Sequence, residues 1–388
     1  MKGFKEELTN NILSFWTSKM VDLEHGGFYG EINGSNILNK KANKGAVLNA
    51  RLLWTFSAAY RIFKTPIYLE MASRAYQYLI ELFVDTVNGG VFWELDYLGK
   101  PVNSKKQVYA QSFALYGLTE YYKVTQNAEV LDWAKQFFYW IEKSHDSQYG
   151  GYLEAYTEDW QTIDDVRLSE KDANEKKTMN THLHILESYT NLMRIWKNED
   201  LKKAQHRLIE MFLYKMLNRN TYHIGLFFDE KWNNKSSVIS YGHDIEAAWL
   251  LLDAAKVLGD EEILMKVGSL SLKIIDAASR GLQTDGSLIY ESDGECYDRE
   301  RHWWVQAEAV VGYMYGYRLS GVVDYKYKAT AVWHYIQEKI VDKEGGEWFW
   351  SRYDNDSINT QKDKAGFWKC PYHNGRMCME MIENFKFE

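Results

Sequence analysis

The stretch Ser240-Tyr-Gly-His-Asp-Ile-Glu246 sets a histidine and a carboxylate three residues apart, His243 and Glu246. A loop signal precedes it and an apolar segment, Ile245 to Leu258, follows, so the pattern predicts a helix that starts here. Helical positions three apart lie about 60° apart around the axis and share a face. An imidazole beside a carboxylate can have its tautomer fixed and its basicity raised, which suits proton transfer. The same two residues also suit a packed, structural pair.

Similar polar clusters open other apolar segments. Arg51 follows Asn49 among Val47, Leu48, Leu52 and Leu53, where a guanidinium needs a partner or a ligand. Tyr109 and Gln111 hold the matching place further on. Asn180 and His184 are four apart and share a face, whereas His182 points about 160° away from His184. His182 and His184 therefore make a poor metal pair. Trp303-Trp304 and Glu308 come next, and then Trp368-Lys-Cys-Pro-Tyr-His-Asn-Gly-Arg376, where Pro371 and Gly375 set His373 on a defined turn. Each has a plainer reading. Single histidines are often structural, tryptophan pairs are often core, and Cys370 and Cys378 read as packing. His25, His145, His206, His223 and His334 read as surface or structural. In favour of chemistry, His184, His243 and His373 fall at equivalent places in different repeats, together with one Arg and two Glu.

The elements that must carry these residues repeat. A glycine turn followed by aromatic and acidic residues occurs six times, beginning at Gly26, Gly89, Gly150, Gly225, Gly286 and Gly345. The intervals are close to 60 residues, except 75 between Gly150 and Gly225. Each turn, with a short aromatic strand, is followed by a polar cluster opening an apolar inner helix. An amphipathic outer segment precedes each turn: residues 2–20, 68–83, 128–143, 202–217, 261–278 and 325–341. Six helical hairpins around one inner layer predict an all-α (α/α)6 toroid or barrel with short β-hairpins in its loops. The expected unit is a single catalytic domain, 1–388. An open solenoid can use the same hairpins. Closure would gather the polar clusters on one rim around one pocket. The long interval contains Asp159–Lys177, a charged insertion expected as a mobile loop over that pocket.

The composition agrees. The 388 residues are 46% hydrophobic and 26% charged, with only three Pro, as suits long helices around a real core. The surplus of 15 Trp, 28 Tyr and 17 Phe suits a sugar-stacking cleft as well as a core. A net charge of −8 and the lack of a basic run argue against nucleic acid. No apolar run reaches membrane length. The N-terminus lacks an apolar signal core, and three cysteines read as reduced thiols, so a cytoplasmic location is expected. There is no H-E-x-x-H, P-loop, G-x-G-x-x-G or G-x-S-x-G, so metal, nucleotide and serine-hydrolase readings lack support.

Asn180-Thr-His-Leu-His184, Ser240-Tyr-Gly-His-Asp-Ile-Glu-Ala247, Trp303-Trp304 with Ala307-Glu308-Ala309, and Trp368 to Met377 resemble the cellobiose 2-epimerases of the N-acylglucosamine 2-epimerase superfamily. The resemblance runs from Gly26 to Arg376, and Lys369-Cys-Pro-Tyr-His-Asn-Gly-Arg376 looks specific to the cellobiose branch. It implies an (α/α)6 barrel and inversion of C2 in the reducing-end glucose of β-1,4-linked disaccharides. Cellobiose would become glucosyl-mannose, and lactose epilactose, through ring opening and a cis-enediolate. The resemblance makes His243 and His373 the two bases, with Glu246 orienting His243. Arg51 would stabilise the oxyanion. His184, Asn180 and Tyr109 would bind hydroxyls and aid ring opening. Trp304 and Trp368 would stack on the sugars, and Glu308 and Arg376 would complete the substrate-binding set. No metal or other cofactor is implied. The expected partner is a disaccharide, and the expected state a monomer or weak homodimer.

Three rivals stay open. An N-acylglucosamine 2-epimerase or an aldose–ketose isomerase would use the same bases. A glycoside hydrolase of the same fold needs two opposed carboxylates, for which Glu246 and Glu308 could be cast. A non-catalytic sugar-binding protein would need no bases at all.

Overall fold

The computed structural model of the protein describes residues 1–385. Its inner helices are Ala46–Phe63, Val108–Thr125, Met179–Met193, Tyr241–Leu258, Trp303–Ser320 and His373–Asn384. Each packs against the next, and the last packs back onto the first. Outside them run helical segments 4–19, 66–83, Ala128–Glu142, 199–216, Glu261–Ala278 and 323–340. This is a closed (α/α)6 toroid, and the open solenoid is excluded. Among the described residues no helix is long and apolar enough to cross a membrane.

The inner helices are buried on nearly every side, as their sequences require. In the first, every residue from Ala46 to Ala59 is buried. Close approach between neighbours depends on glycine. A Cβ at Gly312 would meet Ile245 Cγ1 at 2.4 Å, and one at Gly117 would meet the Ala50 carbonyl oxygen at 2.7 Å. Three outer helices begin at polar caps, at the end of the ring where the inner helices finish: Asn127, Asn198 and Asp260 each accept a backbone N–H of the first turn.

Two-residue strands stitch the rim together. The strand before each of five inner helices pairs antiparallel with the strand after the next glycine turn. Lys44–Gly45 joins Glu94–Leu95, Lys106–Gln107 joins Ala155–Tyr156, and Lys177–Thr178 joins Phe227–Phe228. Ile239–Ser240 joins Glu291–Asp293, and Arg301–His302 joins Ser351–Arg352. The sixth join closes the ring. Ile32 N–H donates to the Ala365 carbonyl at 2.8 Å, and Lys364 N–H donates to that of Ile32 at 2.8 Å.

Two further devices repeat. A buried lysine is pinned to an aspartate of a glycine turn as Lys44–Asp22, Lys106–Asp85, Lys177–Asp146 and Lys364–Asp342. A polar side chain at one shared position in four inner helices accepts the N–H of the strand beside it. Gln111 takes Val91 N–H at 2.7 Å, His182 takes Tyr152 N–H at 2.9 Å, Asp244 takes Ile224 N–H at 2.8 Å, and Gln306 takes Leu288 N–H at 2.8 Å. His182 does here what glutamine does elsewhere, so its role is structural. His223 is buried too, its Nδ1 2.6 Å from Asp244.

Candidate active site

At the rim where the inner helices begin, a cavity of about 550 Å³ opens to solvent. It is lined by Arg51, Tyr109, Asn180, His184, His243, Glu246, Trp304, Trp368 and His373. Nine of the eleven residues singled out in the sequence thus share one pocket. The positive ends of the inner-helix dipoles face it, which favours negative charge inside.

Two tiers of side chains build the site. Arg51, His184, Glu246 and Glu308 occupy the same position of their respective helices, counted from the first helical residue. His243 stands one turn nearer the rim. His184 and His243 are therefore not at equivalent places, contrary to the expectation above. His184 belongs to the deeper tier.

The three imidazoles are all engaged through Nδ1, each by a different partner. His184 Nδ1 lies 3.0 Å from Glu187 Oε2. His373 Nδ1 lies 2.6 Å from Glu308 Oε1. His243 Nδ1 lies 2.9 Å from Ser240 Oγ. In each ring, Nε2 is the nitrogen left to the cavity. Burial pushes His184 down to about 4 and His243 down to about 3. Burial, with Arg51 and Arg376 nearby, holds His373 well below the ordinary imidazole value despite Glu308. All three are neutral near pH 7, the form a base needs. Trp304 contacts both outer imidazoles, with ring centroids 4.7 Å from His243 and 5.6 Å from His373.

The pairing of Glu246 with His243 is corrected by the structure. Glu246 Oε1 accepts from Arg376 Nη2 at 2.6 Å and lies 3.8 Å from His373 Nδ1. Its neighbour in space is the other histidine, because the Arg376 guanidinium draws it across the ring. Burial and the Glu308 carboxylate raise it above the ordinary carboxylate value, and the Arg376 guanidinium works against them.

Glu308 and Arg376 are also placed differently from expectation. Neither lines the cavity. They lie beneath its floor, where Arg376 joins carboxylates from three helices: Glu187, Glu246 and Glu308. Glu308 Oε1 accepts from Arg376 Nη2 at 2.7 Å, and its Oε2 accepts from Trp249 Nε1 at 2.9 Å. Tyr372 donates to Glu187. Arg376 and His184 pull Glu187 down to about 2 against its burial. Glu246, Glu308 and His373 are close enough together to hold a cation, but the Arg376 guanidinium already supplies positive charge to both carboxylates.

Arg51 is the cation that faces the cavity. It is 2% exposed. Its Nη2 donates to the Tyr109 hydroxyl at 2.8 Å and its Nη1 to the Trp368 carbonyl at 3.3 Å. It lies over the rings of Phe113 and Tyr372 at 4.2 and 4.7 Å. Among the described residues no carboxylate forms an ion pair with it, so a buried positive charge is left for a ligand.

The long insertion does cover the pocket. Leu168, Ser169, Glu170, Lys171 and Asp172 line it. Its middle is tied down by Gln107 Nε2, which donates to the Arg167 carbonyl at 2.8 Å, and by Lys105 Nζ, which donates to the same carbonyl at 2.8 Å.

Two residues escaped the sequence reading. Glu187 holds His184, and its signal was the spacing of three that had drawn notice to His243. His302 lines the cavity, stacks on Tyr290 with centroids 3.9 Å apart and planes 3° apart, and meets Glu300 Oε2 at 2.9 Å. It stands on the strand residue just before an inner helix, as Ser240 does, and not on the helix itself.

Known proteins share this fold. The sequence profile of a family described as N-acylglucosamine 2-epimerase (GlcNAc 2-epimerase) matches residues 27–375. The chain is 51% identical over 381 residues to the cellobiose 2-epimerase of Bacteroides fragilis, with 97% of each chain covered. The solved cellobiose 2-epimerase of Bacillus thermoamylovorans superposes with a TM-score of 0.94 at 41% identity, over 98% of each chain. A sugar epimerase from a ruminal bacterium superposes with 0.96 at 38% identity, over 99% of each. From the first glycine turn to the last inner helix, the chain belongs to the N-acylglucosamine 2-epimerase family.

Proposed function

We propose that the protein inverts C2 of the reducing-end glucose of β-1,4-linked disaccharides, converting cellobiose to glucosyl-mannose and lactose to epilactose. One observation carries this reading. Two neutral imidazoles, His243 and His373, are each held through Nδ1 and flank the same Trp304 indole beside an unpaired buried Arg51. Relatives named cellobiose 2-epimerase, at 51% and 40% identity, support the disaccharide as substrate.

The steps follow from the residues. His184, with Asn180 and Tyr109, binds hydroxyls and helps the hemiacetal open to the aldehyde. One of His243 and His373 removes the C2 proton, which is acidic because it lies α to the carbonyl. The cis-enediolate oxygen gains negative charge, which Arg51 and the helix N-termini stabilise. Glu246, in the cavity wall, hydrogen-bonds a sugar hydroxyl. The other imidazole, which has first taken a proton at Nε2 from water in the cavity, returns it to the opposite face, and exchange with solvent resets both rings. Trp304 and Trp368 stack on the sugar rings, and Glu308 and Arg376 support the bases from below. No electrons are gained or lost overall, so no redox cofactor is consumed, and in this proposal Arg51 supplies the positive charge that the enediolate needs.

An NMR time course of cellobiose in deuterated water, without added cofactor, tests this. Glucosyl-mannose carrying deuterium at C2 is the expected product. Reaction of N-acetylglucosamine or mannose in place of cellobiose would move the chain to another branch of the family. Release of free glucose would overturn the epimerase reading. Activity should survive exhaustive chelation, and recovery that depends on added metal would overturn the metal-free mechanism.

A further inference from the structure

The two outer histidines are braced unequally, and the difference reaches solvent on one side only. His373 rests on Glu308, which is 1% exposed and enclosed by Arg376 and Trp249. His243 rests on Ser240, a hydroxyl with one hydrogen to give and lone pairs to receive. Ser240 lies directly opposite Glu291 in the Ile239–Ser240 and Glu291–Asp293 pairing. Directly opposed side chains project from the same face of the pair, which brings the Glu291 carboxylate within reach of the Ser240 hydroxyl. On the next strand Glu291 faces Asp298, an exposed residue of the pocket wall.

We propose that Ser240 and Glu291 form a proton relay for His243, fixing its tautomer and connecting it to solvent, whereas His373 keeps its Nδ1–H. The inference rests on the two-base reading above. The ionised Glu291 accepts the Ser240 hydroxyl hydrogen. Ser240 Oγ then accepts Nδ1–H of His243, so Nε2 keeps the lone pair that faces the cavity. Once Nε2 has taken a proton from C2, the imidazolium passes Nδ1–H to Ser240. Ser240 passes its own hydrogen to Glu291. The result is a neutral imidazole, a neutral hydroxyl and a protonated carboxyl, with no other reactant consumed. The proton taken from C2 stays on Nε2, and the reverse transfer restores the imidazolium that can give it back. Burial raises Glu291 to about 7, helped by Asp298 and by Asp172 of the covering loop, which makes its carboxylate a better acceptor for the relayed proton. Besides Ser240, His243 is faced by Trp304, His184 and Glu308.

Ser240 and Glu291 are positioning and relay residues, since neither touches the reacting carbon. Two measurements test them on the full chain. In 15N-histidine NMR spectra, His243 should show the Nδ1–H tautomer. Ser240→Ala should lose that preference, and Ser240→Thr should keep it. The second measurement follows C2-deuterated cellobiose and C2-deuterated glucosyl-mannose in ordinary water, reading label lost from unreacted sugar per turnover. The epimer whose C2 hydrogen meets His243 should lose label on the order of 10-fold less readily than the other, because the relay removes Nδ1–H and leaves the deuteron on Nε2 of a neutral ring. Ser240→Ala and Glu291→Gln should erase that difference, and Ser240→Thr should restore it. Equal label loss for both epimers in the wild-type protein, or a Ser240→Ala variant with the wild-type tautomer and asymmetry, overturns the relay. The tautomer is read without turnover. A protein that shows it but leaves both sugars unchanged would therefore sink the epimerase reading and retain the Ser240 brace.

Discussion

Glu308 sits 2.6 Å from His373 and 2.7 Å from Arg376, so one carboxylate both aims a base and neutralises the cation beneath it. The two duties separate on substitution. Glu308→Gln keeps the shape and an acceptor but removes the charge, and kcat is expected to fall about 10²-fold with the fold retained. Glu308→Ala leaves Arg376 and Trp249 short of a partner and should also lower stability by about 3 kcal/mol. Urea unfolding beside steady-state kinetics distinguishes the two. Equal stability losses in both variants would contradict this division.

Arg51 and Arg376 should answer differently to the same change. Arg51→Lys removes a planar cation facing the cavity, so kcat should drop about 10²-fold while the melting temperature hardly moves. Arg376→Met uncouples three buried carboxylates and should cost about 3–5 kcal/mol of stability. Thermal unfolding compared with kcat decides it. The expectation fails if Arg51→Lys melts earlier than Arg376→Met.

Buried neutral histidines set an acid limit on the fold. His182 and His184 are pushed to about 4 and His243 to about 3 by burial, below the ordinary 6.5. As pH falls from 6.5, the unfolded chain takes up protons that the folded chain refuses. Their contribution is complete above 6.5 and is lost as the pH drops towards 4. The slope is at most about 1.4 kcal/mol per pH unit for each group. His182→Gln, which places at this position the residue found at Gln111 and Gln306, should flatten the slope and leave activity near wild type. Unfolding at several pH values from 7.5 down to 5 measures it.

Gln107 ties the covering loop at the Arg167 carbonyl, 2.8 Å away. Gln107→Ala should loosen that loop, leaving Lys105 as its tie at the same carbonyl, and raise KM for cellobiose roughly 10-fold, with a smaller effect on kcat. Unchanged KM would mean that the loop holds its place without this bond.

Much of this architecture is legible from spacing. The six glycine turns, with apolar segments after them, specify six hairpins, and the polar residue types at each helix start mark the rim. Pairing is not legible. Glu246 and His243 share a helix face, yet Glu246 bonds Arg376, 130 residues away in sequence. Glu308 reaches His373 from 65 residues away. Such partners are set by which helices meet across the ring, and local periodicity carries no record of that. Closure was unreadable for the same reason, since it rests on Ile32 meeting Ala365.

Arg376 lies on the final inner helix, and the three acids that it gathers lie on earlier ones. Until that helix docks, Glu187, Glu246 and Glu308 have no common counter-charge. Interior burial of three unpaired carboxylates is prohibitive, so the centre of the ring must stay wet or protonated. During synthesis the earlier hairpins can collapse on their apolar faces, but the middle can dry only when the last repeat arrives. The ring therefore seals late, and catalysis begins when it does. A chain ending before His373 should be a partly hydrated, dye-binding arc of helices, and adding a peptide of residues 366–385 should convert it into a compact ring.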